Sequence, residues 1–188
     1  MKQYITEQLK ELSHQVLLLS DQADKIEKLA DLCIKAISVG HKIIFCGNGG
    51  SAAQSQHLTA ELVGRFKKDR PAMNALSLTV DTSNITAIAN DYGYDVIFAR
   101  QLEGVGQKGD VLIGLSTSGN SKNVLLAFEQ AKKMGIHTVA LMGGKEGAMK
   151  QLADYYIQVP ATTSHHIQEM HIAIGHLICD LVERAIYG

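Results

Sequence analysis

Asp110-Val111-Leu112-Ile113-Gly114-Leu115-Ser116-Thr117-Ser118-Gly119-Asn120-Ser121 is an apolar run that ends in a cluster of hydroxyls. Val111 to Leu115 shows no polar alternation, as expected of a strand buried on both faces. Beyond it, helical spacing runs from about Ser121 to Met134. The same strand–loop–helix order occurs upstream. Lys42-Ile43-Ile44-Phe45-Cys46 reaches Gly47, and helical spacing follows from about Ser51 to Phe66. Further strands are predicted at about 75–78, 138–141 and 156–159, and helices at about 83–89, 96–105 and 164–186. Strands alternating with helices imply right-handed crossovers and a parallel sheet covered on both faces. The expected architecture is α/β, a three-layer αβα sandwich over about 41–188. A helical pair (about 4–20 and 22–39) within residues 1–40 precedes it. With 188 residues and 46% hydrophobic content, one core and one domain are expected.

Composition excludes several roles. A formal charge of −1 gives no footprint for nucleic acid or an anionic membrane, so neither is expected as a partner. The one basic cluster, Arg65, Lys67, Lys68 and Arg70, reads as a solvated helix end at least as well as a binding patch. The first residues run into a charged amphipathic segment with no secretory core. No apolar run approaches the ~18–20 residues that span a bilayer. Three widely spaced cysteines, Cys33, Cys46 and Cys179, suit a reducing compartment. A cytoplasmic location is expected.

In doubly wound sheets, ligands sit outside the carboxyl ends of the strands, where strand order reverses. The loops leaving the strands are therefore the places to look. Gly47-Asn48-Gly49-Gly50-Ser51 opens directly into a helix. Glycines let backbone N–H groups approach an anion, and the helix start adds unpaired donors. The same sequence also serves as an ordinary tight turn, and it lacks a Walker lysine and the third glycine of a dinucleotide fingerprint. Ser116-Thr117-Ser118-Gly119-Asn120-Ser121 is more pointed. A helix cap needs one hydroxyl, whereas four hydroxyls at a helix start can surround a phosphate without a lysine. His57 and Glu61, four apart, share a helix face and either chelate a metal, exchange a proton or form a surface pair. The last helix carries Gln168, Glu169, His171 and His176 among Ile and Leu.

Cys-Gly-Asn-Gly-Gly-Ser at 46–51 and Ser-Thr-Ser-Gly-Asn-Ser at 116–121 resemble the two signature loops of SIS (sugar isomerase) domains. The resemblance covers nearly the whole chain, through Ile-Gln-Glu-Met-His at 167–171, and within the class it is to phosphoheptose isomerases. It implies a flavodoxin-like parallel sheet with both loops over one crevice. The implied activity is an aldose–ketose isomerisation through an enediol. It takes sedoheptulose 7-phosphate to D-glycero-D-manno-heptose 7-phosphate, for ADP-heptose and lipopolysaccharide core or a surface glycan. By the resemblance, His57, Glu61, Gln168 and His176 bind zinc, one ion per subunit. Glu61 is the base and His176 the acid or shuttle. Substrate contacts fall to Asn48, Gly49, Gly50, Ser51, Glu61, Asn90, Asp91, Ser116, Thr117, Ser118, Ser121 and Gln168. Gln168 and His176 are eight residues apart, ~12 Å along a helix, so sharing one ion requires the side chains to lean together. Asn90 and Asp91 are expected in the connection after a short helix, where Asp91 is otherwise a cap. Many relatives carry Asp-Arg or Ala-Arg where this chain has His165-His166, which bears on fine substrate preference. Apart from the resemblance, those two histidines suit a solvated helix start better than the adventitious metal site that is the alternative. A rival reading is a non-catalytic adaptor resembling the DnaA initiator-associating protein, which has no need of a carboxylate base at Glu61.

The resemblance also implies a homo-oligomer, a tetramer, with sites at subunit boundaries. In the first helix Ile5, Leu9, Leu12, Val16 and Leu19 form one stripe that can pack on the chain's own core, while Leu17 and Leu18 point elsewhere. Apolar residues on more than one face call for burial on more than one face, either deep in the subunit or against a second copy.

Overall fold

The computed structural model describes residues 1–188. Strands β1 (Ile43–Gly47), β2 (Ala75–Ser77), β3 (Val111–Ser116), β4 (His137–Met142) and β5 (Tyr155–Gln158) form one sheet, ordered β2-β1-β3-β4-β5. All neighbouring pairs are parallel. The helices are α1 (Lys2–Leu17), α2 (Ala23–Ser38), α3 (Gly50–Val63), α4 (Thr82–Tyr92), α5 (Ile97–Val105), α6 (Lys122–Met134), α7 (Met149–Leu152) and α8 (Ser164–Tyr187). This is the expected α/β fold, with a helical N-terminus. From β1 the chain steps outward to β2 and then returns across β1 to β3, so strand order reverses between β1 and β3. Cys46 stands opposite Gly114 and Gly47 opposite Leu115, which brings both glycine- and serine-rich loops out side by side.

Each central strand feeds two cores, because successive side chains point to opposite faces. Ile43, Phe45, Ile113 and Leu115 join Leu29, Cys33, Leu58 and Ile174 beneath α2, α3 and α8. Ile44, Cys46 and Leu112 join Phe98, Val124 and Phe128 beneath α5 and α6. Burial on both faces is why the strand sequences show no alternation. Each fully buried Leu, Ile or Phe side chain contributes about 1.5–3 kcal/mol.

Three local expectations are corrected, and one short helix is added. The α1 stripe does not pack on the chain's own core: α1 buries no residue, and Ile5, Leu9 and Val16 are 57%, 62% and 37% exposed. Only Leu19, in the 3-10 turn Leu18–Gln22, is buried. Helix α3 stops at Val63, short of Phe66, because the amides of Phe66, Lys67 and Lys68 bond to the Glu183 carboxylate and not to helix carbonyls. Helix α4 continues to Tyr92, so Asn90 and Asp91 lie in its last turn and not in a connection. Finally, α7 has only four residues, too few for a periodic signal.

His171 on α8 is fully buried, and neither ring nitrogen has a hydrogen-bond partner. Burial pushes its pKa down to about 4, with the nearby Met142 carbonyl acting the other way to a lesser degree. An unfolded histidine titrates near ~6.5. Between these values the unfolded chain binds more protons, so stability falls as pH drops from about 6.5 towards about 4, by up to ~1.4 kcal/mol per pH unit. In urea unfolding, His171→Phe is expected to flatten that slope. A slope unchanged by the substitution contradicts this assignment.

Candidate active site

The crevice at the switch point is built from both loops. Asn48 and Asn123 exchange amide hydrogen bonds of 2.9 and 2.8 Å, linking the β1 loop to the first turn of α6. The Tyr94 hydroxyl donates to the same Asn48 oxygen at 3.0 Å, which sets the far end of α4 beside the crevice. Ser116 Oγ lies 2.8 Å from Ser121 Oγ and 3.4 Å from Ser118 Oγ. Neither α3 nor α6 has a side-chain cap bond, although Ser121 occupies the cap position of α6. The hydroxyls are therefore not spent on capping, and they converge with a helix N-terminus, an arrangement suited to an anion. Gly119 turns the loop with φ +65°, and a Cβ there would stand 3.0 Å from Gly147 Cα. Asn120 braces the loop from outside, donating to Ser118 O at 3.0 Å and accepting from Ala148 N at 2.9 Å. Ser51 is buried, while Gly49 and Gly50 are exposed.

The candidate acid–base residues meet where α3 crosses α8. Gly175 permits the approach: a Cβ there would fall 2.4 Å from Leu58 Cδ2. The flanking side chains are then brought face to face. His57 Nε2 is 2.9 Å from His176 Nε2 and 3.1 Å from Glu61 Oε1. Donor atoms of all three residues lie within 4.8 Å of one another. Ligand atoms around a tetrahedral zinc with bonds of ~2.0–2.1 Å are about 3.3 Å apart, and two imidazoles plus a carboxylate with an open fourth position is a familiar zinc donor set. The residues fit a divalent ion. Partial burial, followed by the neighbouring His57, holds the His176 pKa below its ordinary value, with Glu61 opposing. His176 is thus neutral at neutral pH, the form that ligates metal or accepts a proton. The Phe66 ring lies 5.7 Å from that of His176.

Gln168 stands elsewhere. Its side-chain amide abuts Gly50, where an added Cβ would be 2.6 Å away, and its main-chain carbonyl accepts from Gln54 Nε2. Gly50 is seven residues from His57 on α3, on the order of 10 Å. Asn90 and Asp91 are both exposed and bond to each other at 2.8 Å. Of the two histidines expected at a solvated helix start, His165 is exposed. His166 is buried, however, with Nδ1 2.7 Å from Glu169 Oε2. The basic cluster is likewise not all solvated, since the Arg70 side chain is 2% exposed against Glu183. Asn120, Asn123, Tyr94, Arg70 and Glu183 were not singled out as site residues from sequence. Asn123 and Glu183 did carry a signal, a polar residue on an otherwise apolar helix face.

The sequence matches the family model described as "SIS domain" over residues 3–143. A phosphoheptose isomerase of Akkermansia muciniphila is 58% identical over 188 residues, covering all of both chains. One of Sulfurimonas denitrificans is 52% identical over 191 residues, covering all of this chain and 98% of the other. The chain belongs to the phosphoheptose isomerase family. Among solved structures, the phosphoheptose isomerase of Neisseria gonorrhoeae superposes with a TM-score of 0.92 at 35% identity, covering 97% of this chain and 98% of that one. As a phosphoheptose isomerase relative, the chain has its two signature loops over one crevice and a metal-capable His–Glu–His cluster where the helix that leaves the first loop meets α8. No helix is long and apolar enough to cross a membrane.

Proposed function

We propose that this chain isomerises sedoheptulose 7-phosphate to D-glycero-D-manno-heptose 7-phosphate, the aldose that feeds ADP-heptose and heptose-containing glycans. The observation that carries the reading is the convergence of His57, Glu61 and His176, within 4.8 Å, on the helix pair beside a hydroxyl-rich anion loop. A cluster on one pair of helices and an anion loop on a neighbouring strand suit a substrate whose reacting carbons and phosphate lie on different parts of the chain. Ser116, Thr117, Ser118 and Ser121 hold the phosphate, and that remote binding energy orients carbons 1 and 2. Asn48, Gly49, Gly50, Ser51, Asn90, Asp91 and Gln168 line the path between. Glu61 takes the proton from carbon 1 and delivers one to carbon 2 of the enediol. Its Oε1 faces His57, and Oε2 is the oxygen available for transfer. His176 moves the proton between the two enediol oxygens. His57, Glu61 and His176 would hold a zinc ion, which supplies Lewis-acid polarisation of the carbonyl, while Gln168, expected as a fourth ligand, stands against Gly50 on the substrate's path. Three buried, unpaired cysteines agree with a reducing cytoplasm. The test is to incubate the purified protein with sedoheptulose 7-phosphate, with and without zinc, and follow the aldose by NMR. Absence of aldose in both returns the chain to the adaptor reading.

The working unit is a homo-oligomer, a tetramer in our reading. Exposed Leu9 and Leu17 on α1 and Leu177 and Leu181 on α8 leave apolar surface that a second copy would cover. A groove of about 750 Å³ between α8 and the residues around Leu17 and Leu19 has Phe66 and His176 in its wall, so such an interface would border the site. Light scattering at micromolar concentration is expected to show an oligomer that dissociates and loses turnover without residues 1–20. A fully active full-length monomer contradicts this.

A further inference from the structure

The loop after α3 closes on a buried ion pair that touches both helices of the His–Glu–His cluster. The Glu183 carboxylate on α8 accepts the N–H groups of Phe66, Lys67 and Lys68 at 3.1, 2.9 and 2.9 Å and Arg70 Nε at 3.1 Å. Burial alone would raise the pKa of Glu183, but these four bonds outweigh it and hold the carboxyl below its usual range. Arg70 Nη1 donates to Leu62 O at 2.7 Å and to Gly64 O and Pro71 O at 3.1 Å, and Nη2 donates to Glu61 O at 2.9 Å. The guanidinium thus caps the carboxyl end of α3 at the residue that bears the carboxylate of the cluster. Glu183 follows His176 by seven residues, two turns on, and so shares its helix face.

We propose that Arg70 and Glu183 are positioning residues that lock the carboxyl end of α3 onto α8 and so fix the register in which His57 and Glu61 meet His176. By gathering the amides of residues 66–68, the pair also seats Phe66 against the His176 ring. A buried ion pair is a poor device for stability alone, since a well-packed apolar pair often does as well. No apolar pair can satisfy the end carbonyls of α3 and three successive loop amides together. The inference rests on the metal-dependent reading above.

The test compares Arg70→Lys and Glu183→Gln with Asp110→Asn. Asp110 is a buried carboxylate just before β3, at the opposite end of the sheet, that accepts from Lys42 N, Lys42 Nζ and Gln107 N. Zinc affinity is measured by chelator competition, geometry by the visible spectrum of the cobalt(II) form, and stability by Tm. Loss of outer-shell partners typically costs 10–100-fold in metal affinity. That loss, with an altered cobalt spectrum, is expected for Arg70→Lys and Glu183→Gln. Asp110→Asn should lower Tm and leave affinity and spectrum unchanged. Zinc affinity and a cobalt spectrum unchanged in both clamp variants overturn the proposal. If those variants do not fold, the wild-type protein still decides: coupling is reciprocal, so adding zinc must slow hydrogen exchange at the amides of Phe66, Lys67 and Lys68, and unchanged exchange overturns the proposal. A wild-type protein that neither binds zinc nor isomerises the sugar phosphate contradicts the functional reading itself, which keeps the two failures distinct.

Discussion

Glu61→Gln is expected to lower turnover of sedoheptulose 7-phosphate by ~10²–10⁴-fold, the usual cost of losing a general base. Glutamine has nearly the same shape, and the main chain at this position is held independently by Arg70 Nη2 on Glu61 O at 2.9 Å. The fold should therefore survive, as judged by circular dichroism and Tm. The loop proposed to hold the phosphate leaves another strand, so affinity for the sugar phosphate should remain near wild type. Zinc content is measured alongside, because the same carboxylate stands 3.1 Å from His57 and its loss can also loosen a bound ion. Near-normal turnover in the variant removes Glu61 from the mechanism.

Replacing Ser118 and Ser121 together by alanine is expected to weaken substrate binding by at least about 100-fold. A hydrogen bond to a charged group contributes ~1.5–3 kcal/mol, and ~1.4 kcal/mol is tenfold in Kd. Two independent losses would reach ~10²–10⁴-fold, but neighbouring side chains do not act independently, and the lower end is the safer expectation. Ser121 Oγ bonds to Ser116 Oγ at 2.8 Å without a ligand, so some of the bond to phosphate replaces an existing contact. Calorimetry in a Glu61→Gln background gives Kd without consuming the substrate. An unchanged Kd counts decisively against residues 116–121 as the anion site.

The order of strands and helices was legible because β1 and β3 are buried on both faces and their loops carry dense glycine and serine. The pairing β2-β1-β3 needed the family resemblance, since parallel neighbours leave no mark in local spacing. The exact end of α3 was not legible. Helical spacing continues through Phe66, but the chain leaves the helix because Glu183, more than a hundred residues later, captures the next amides. The basic cluster misled for the same reason, since one of its four residues, Arg70, finds a buried partner that only the tertiary fold supplies. His57 and Glu61 share a face by spacing alone. Their meeting with His176 depends on Gly175 letting α8 approach Leu58, a packing detail that no periodicity records. Asn48 stands out in its glycine-rich loop, whereas Asn123, its partner, is marked only as a polar residue on the apolar face of α6, which does not reveal what it meets.

The most direct test of the isomerase account is to run the reaction in D2O with the zinc-loaded protein and follow carbons 1 and 2 of the sugar by NMR. Proton transfer through Glu61 and an enediol predicts aldose that carries solvent deuterium on carbon 2, with Glu61→Gln producing almost none in the same time. Failure to form aldose from sedoheptulose 7-phosphate, with zinc or without it, would contradict the account.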